Sequence, residues 1–209
     1  VFVWIDFSNT AMPNTSSSLV SQEELPQHGV GMKLYSVIWW SGFAIFTSLM
    51  FVWTLFAFLT VIFDRRRRIF HILTTCFWGW AVYGFNPNWS LKVEGREKLP
   101  WDGRAVLVPN HDSLADIMVC GALFRPFKFV SKQSVFNVPL MGWGMRLAGY
   151  IPLKRGDKQS ILQMLQECRE NLEAEVPVLL FPEGTRSDDG FVRPFKNGAF
   201  QLAVETNSP

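Results

Sequence analysis

Charge is scarce in this chain of 209 residues, where Asp, Glu, Lys and Arg together make up 18%, against roughly a quarter in an average soluble domain. Cysteine is scarcer still. Cys76, Cys120 and Cys168 are odd in number and far apart, which excludes a disulfide framework and any C-x-x-C metal pattern. Each reads as a small buried hydrophobe. The chain has no internal repeat, no G-x-G-x-x-G or Walker loop and no G-x-S-x-G elbow, so dinucleotide, P-loop and serine-hydrolase readings lack their signatures. What is abundant is apolar: 48% hydrophobic residues and 15% aromatic ones, which excludes intrinsic disorder and collagen-like order. The length suits one domain with a small appendage.

The formal net charge of +2 conceals an asymmetry. Residues 1–64 carry one basic and four acidic side chains, and residues 65–209 carry 19 and 14. An acidic head and a basic body point to a membrane protein facing anionic lipid or anionic substrates. The neck between them is Leu34 to Phe63, 30 residues without Asp, Glu, Lys, Arg or His. A spanning helix needs ~20 apolar residues, so this one is expected to tilt, bend or run into the headgroups, with Gly42 as the place for a bend. It starts too far along the chain and is too long for a signal peptide. Arg65, Arg66, Arg67 and Arg68 end it and mark the cytoplasmic side, able to bind anionic headgroups at ~1 kcal/mol each. Because the basic run lies between two apolar stretches, no nucleic-acid partner is expected. The second stretch, Ile69 to Phe85, is short and aromatic, which reads as an interfacial or re-entrant helix with His71 at headgroup level.

The expected organisation is therefore a loosely ordered head at residues 1–33, membrane-anchoring helices at 34–85, and a catalytic domain at 86–209. In that domain Leu91–Val93, Ala105–Val108, Phe127–Val130, Tyr150–Leu153 and Val178–Phe181 read as strands. Leu114–Phe124, Leu140–Ala148, Ile161–Ala174 and Ala199–Thr206 read as helices. Ile161, Leu165, Cys168 and Leu172 share one helical face, with Asp157 or Ser160 as N-cap. The alternation predicts an α/β fold with helices over the sheet and the site outside the carboxyl ends of the strands.

Two constellations carry chemistry. The first follows the strand ending at Val108: Asn110, His111, Asp112, Ser113, Leu114, Ala115, Asp116. A neutral imidazole is the natural general base near neutral pH. Asp116, five residues on, can fold back to fix its tautomer, giving the base and orienter of a triad without an enzyme nucleophile. The substrate would then supply the hydroxyl. Taken alone, the segment reads more readily as a helix N-cap cluster with a hydrogen-bonded histidine. The second follows the strand ending at Phe181: Pro182, Glu183, Gly184, Thr185, Arg186, Ser187. Backbone amides, hydroxyls and an Arg fork suit a phosphate, and Glu183 can orient Arg186 or a substrate hydroxyl. Otherwise it is an ordinary polar turn. Lys132, Lys154 and Arg155 add cations between the two.

In this order, the series Asn110-His111…Asp116, Lys132…Pro139…Gly142…Gly149…Arg155 and Phe181 to Ser187 resembles the 1-acyl-sn-glycerol-3-phosphate (lysophosphatidate) acyltransferases and related glycerolipid acyltransferases, over residues 86–209. The resemblance implies His111 as base and Asp116 as its partner. It implies Glu183, Gly184, Thr185 and Arg186 as the acceptor-binding motif, with Lys132 and Arg155 also on the acceptor side. It further implies an α/β fold with a mixed sheet flanked by helices, an N-terminal hydrophobic anchor, lysophosphatidate as acceptor, acyl-CoA or acyl carrier protein as donor, and no cofactor or metal. The site would lie at the cytoplasmic face of the membrane. Asp112, Leu114 and Ala115 depart from the Gln and bulky aromatics of many members, which bears on acyl-chain and acceptor preference. The family's fourth motif is not reached before Pro209, so truncation with an unfinished sheet edge is expected. The competing expectations are another acceptor (glycerol-3-phosphate or a larger lysophospholipid), a hydrolase, and a non-catalytic membrane scaffold.

Overall fold

The computed structural model describes residues 30–84, 93–101, 103–111, 115–185 and 191–209. The apolar run forms helix α1, Val30–Ala57, continued by a 3₁₀ segment, Phe58–Ile62. The expected bend at Gly42 is not there: α-helical bonding runs through it, and the change of winding falls at Phe58. Hydroxyls inside the run, among them those of Thr47, Ser48 and Thr54, bond back to the carbonyls of Phe43, Ala44 and Met50 at 2.8, 2.9 and 2.8 Å. Such internal satisfaction is what a helix in a water-free medium requires. The stretch Ser36–Ile62 is, among the described residues, the one helical stretch long and apolar enough to cross a membrane, and only 6% of its most apolar window is buried in the protein.

After Asp64, whose carboxylate accepts from the Ile69 amide at 2.7 Å, the chain turns through Arg67 in the left-handed region, φ 57°. It then forms α2 (Arg68–His71), a π-helical turn (Ile72–Cys76) and α3 (Phe77–Gly84). This stretch is more than an interfacial helix. Phe70, His71, Cys76 and Ala81 are buried against the body. Side chains at Gly79 and Gly121 would run into the carbonyls of Met118 and Thr75, so the two glycines let α3 press on helix α4, Ala115–Ala122. His71 therefore does not face the headgroups. It sits in the core with Nδ1 2.8 Å from the Tyr150 hydroxyl.

Among the described residues the body is a sheet of four strands, β1 (Val106–Leu107), β2 (Lys128–Lys132), β3 (Ile151–Leu153) and β4 (Val178–Leu179), in the spatial order β1-β4-β2-β3. Every pair is parallel, where a mixed sheet was expected. The α/β class holds. Helix α4 follows β1, α5 (Met141–Ala148) follows β2, α6 (Lys158–Glu173) follows β3 and α7 (Gly198–Glu205) follows β4. Alternation of side chains along the strands separates two cores. Phe127, Phe129 and Leu179 pack with Ala57, Phe70 and Cys120, under α1, α2 and α4. Val130, Val178 and Leu180 pack with Met164, Cys168, Leu172 and Leu202, under α6 and α7.

Helix α6 is capped by Asp157, which accepts from the Ser160 amide at 3.2 Å. Its buried face is Met164, Cys168 and Leu172, and Ile161, expected on that face, is exposed beyond the edge of the core. The three cysteines are buried as expected, and burial pushes each thiol up to about 12. The strand expected at Leu91–Val93 falls mostly outside the described residues, as do residues 1–29 and the Asn86-Pro87-Asn88 segment.

Candidate active site

The site forms because β1 and β4 are neighbours that send their chains to opposite faces. β1 feeds α4 on one core and β4 feeds α7 on the other. Diverging connections leave a crevice outside the carboxyl ends of such strands. The parallel register pairs Val106 with Val178 and Leu107 with Leu179. The same offset, 72 residues, relates His111 to Glu183, so the register of two short strands brings the two motifs opposite each other.

Their contact is direct. The Glu183 carboxylate is buried. Its Oε1 accepts from the His111 backbone amide at 2.6 Å and its Oε2 from the Arg193 amide at 2.8 Å. Glu183 thus ties three loop segments together, and its orienting role is exerted on backbone. That is a different use from the expected grip on Arg186 or a substrate hydroxyl. The His111 ring is buried and stacks on Phe181, with centroids 4.0 Å apart and planes inclined by 23°. Its Nδ1 lies 2.9 Å from Asp116 Oδ2. Asp116 occupies the first turn of α4, so the helix start carries the carboxylate to the imidazole. A carboxylate accepts only, so Nδ1 carries the proton and Nε2 is left as the basic nitrogen.

The other expected site residues are arranged less tightly. Gly184 turns the chain at φ 71°, and a side chain there would strike the Lys196 ammonium. Thr185 is exposed beside it. Arg186 and Ser187 lie outside the described residues, as do Asp112, Ser113 and Leu114. Lys132 ends β2 and Arg155 follows β3, both exposed at the same carboxyl edge. At ~4.8 Å per strand, they stand one and two strands beyond β4. Sequence reasoning missed the ring of Phe181, the amide of Arg193 and the ammonium of Lys196. Only Lys196 had a legible signal, a cation shortly after the glycine turn.

Among the described residues, a fixed imidazole–carboxylate pair thus sits in an α/β crevice rimmed by cations, an arrangement chemically suited to drawing a proton from a hydroxyl. The Acyltransferase family profile matches residues 90–209, and the chain belongs to that family. It is 38% identical over 91% of its length to a 1-acyl-sn-glycerol-3-phosphate acyltransferase of Chlamydomonas reinhardtii, covering 58% of that protein. To the chloroplastic 1-acyl-sn-glycerol-3-phosphate acyltransferase LPAT1 of Arabidopsis thaliana it is 42% identical over 70% of its length, covering 41% of that protein. The chain thus spans about half the length of these relatives. The fold is similar to that of the 1-acyl-sn-glycerophosphate acyltransferase PlsC from Thermotoga maritima, with a TM-score of 0.56 and 25% identity, over 79% of this chain and 72% of that one.

Proposed function

We propose that the chain carries the catalytic unit of a 1-acyl-sn-glycerol-3-phosphate acyltransferase, which transfers a fatty acyl group to the sn-2 hydroxyl of lysophosphatidate and yields phosphatidate. The reading rests above all on the His111–Asp116 pair at the β1–β4 crevice, with Glu183 clamping its loop. Nε2 of His111 takes the proton from the hydroxyl as that oxygen attacks the thioester carbonyl. Asp116 stabilises the imidazolium that forms. The tetrahedral intermediate collapses, the carbon–sulfur bond breaks, and the imidazolium returns its proton to the leaving thiolate. Acyl-CoA or acyl carrier protein supplies the thioester, and neither metal nor covalent acyl-enzyme is needed. The acceptor phosphate is read by Arg186, with Lys132 and Arg155 as further cations on the acceptor side.

Helix α1 is the membrane anchor, and the arginines after it set the site at the cytoplasmic face. A second reading keeps the chemistry and changes the acceptor to glycerol-3-phosphate or a larger lysophospholipid, since Leu114 and Ala115 depart from the family's bulky aromatics. Purified full-length protein, given each acceptor with either donor, decides between them by product analysis. Phosphatidate formed fastest from lysophosphatidate is the expected result, and no acyl transfer to any glycerolipid overturns the proposal.

A further inference from the structure

Helices α5 and α6 begin in opposite ways. Helix α6 starts behind Asp157, a side-chain cap. Helix α5 starts behind Val138-Pro139-Leu140 with no side-chain cap at all. Its first amides are closed instead by nearby carbonyls: Met141 donates to Pro139 at 2.7 Å, Gly142 to Val138 at 2.8 Å and Gly144 to Leu140 at 2.9 Å. A helix start in water favours Ser, Thr, Asp or Asn, whereas one in hydrocarbon must satisfy its backbone from within. The tip is also apolar and bare: Val138, Met141 and Trp143 are 42%, 40% and 50% exposed. Residues 138–145 contain no charge.

This tip lies along the apolar helix. The Trp143 ring is 5.6 Å from that of Phe51, and Gly144 faces Thr54. At ~1.5 Å per residue, Phe51 is roughly 18 Å up the chain from Phe63, where the apolar run ends. The other end of α5 lies at the arginine level. Arg67 donates to the carbonyls of Leu147 at 2.9 Å and Arg146 at 3.4 Å, while the Arg146 guanidinium folds back to the Phe136 carbonyl and to Asn137 at 3.3 Å, just before the tip. Both helices therefore pass from apolar to cationic in the same direction.

We propose that the N-terminal tip of α5, with Val138, Met141 and Trp143, is immersed in the lipid hydrocarbon beside α1, so that the catalytic body holds the membrane at a second point. The occupant of this face is the acyl-chain region of the leaflet that the arginines border. The surface is continuous with the bare apolar side of α1, and the inference rests on reading α1 as the membrane anchor.

The native cysteines are buried, so single introduced cysteines take an environment-sensitive fluorophore selectively. Full-length Met141→Cys and Val138→Cys proteins, labelled and reconstituted in phosphatidylcholine–phosphatidylglycerol vesicles, should be quenched several-fold more by acyl-chain nitroxide lipids than by aqueous iodide. Leu162→Cys, exposed on α6 over the opposite core, should show the reverse, and Ile45→Cys on α1 reports the anchor separately. Labels at 138 and 141 behaving like the one at 162, beside a lipid-quenched label at 45, overturn the proposal and leave the anchor standing. Water-quenched labels at 45, 138 and 141 overturn both.

Discussion

Two histidines of the described chain are buried, and they differ in what each ring nitrogen meets. His71 has the neutral Tyr150 hydroxyl at Nδ1, itself bonded to Thr75 at 2.5 Å. Its Nε2 is buried and, among the described residues, lacks a partner of good hydrogen-bond geometry, and Phe127 lies against the ring at 4.6 Å. Burial, with the charge of Lys128 nearby as a smaller cause, lowers its pKa to about 3. His71 is locked as a neutral packing residue. His111 has a carboxylate at Nδ1 and a backbone pinned by a second carboxylate. Burial is common to both rings; the proposed base differs in having a fixed negative partner, which would welcome the charge appearing on the ring during proton transfer.

The sharpest break of this comparison is to remove the base. His111→Ala should lower kcat by about 10²–10⁴-fold, the usual weight of general-base catalysis. Steady-state acyl transfer by the full-length enzyme checks it, and near-normal turnover would refute the assignment. Asp116→Asn gives His111 a neutral partner, as His71 has. It should lower kcat by about 10²-fold or more while leaving KM for the acceptor close to normal, because tautomer and imidazolium support are lost together.

Glu183→Gln tests the clamp. An amide has one acceptor oxygen where the carboxylate has two, so either His111 or Arg193 loses its partner. Leaving one buried amide unsatisfied should cost about 1–3 kcal/mol of stability. Faster hydrogen exchange at the His111 and Arg193 amides, with kcat falling more than KM rises, would show that the residue positions the base.

His71→Phe should leave kcat within a few-fold of normal and alter only stability. Below its ordinary value of 6.5 the unfolded chain binds a proton at His71 that the folded chain refuses until about pH 3. Acid therefore favours unfolding across that window, by up to about 1.4 kcal/mol per pH unit from this group. Chemical denaturation between pH 7.5 and 5 should show a flatter pH dependence in the variant, and an unchanged slope would refute the account. The smallest effects belong to the exposed cations. Lys132→Ala and Arg155→Ala should each raise acceptor KM a few-fold with little change in kcat, since charge that is exposed is screened by water and salt.

Much of the fold was legible because hydrophobic periodicity is local. Strands and helices from residue 105 to 206 fall close to where the apolar runs put them, and the 30-residue uncharged run became a helix. Boundaries were less legible: β1 and β4 shrink to two residues each, because pairing and not composition ends a strand. His71 was misplaced for a related reason. An aromatic, basic-flanked stretch looks interfacial by composition, yet Gly79 and Gly121 let one side of it pack into the core. For the site, the spacing of five between His111 and Asp116 was a weak signal alone, and it became readable only beside the second motif and the family resemblance. The job of Glu183 was not readable, because it depends on which strand lies beside β1.

By itself the sequence determined the chemical inventory: a histidine, a carboxylate five residues on, a glycine turn, a fringe of cations and a long apolar helix. These are properties of residue type and short-range spacing, and no fold is needed to write them down. Only the tertiary structure decided that the two motifs meet, that Glu183 grips backbone at His111 and that Arg67 caps α5. Those contacts join residues about 70 to 80 positions apart. Strand order and register set such distances, and neither leaves a mark in the local pattern of side chains.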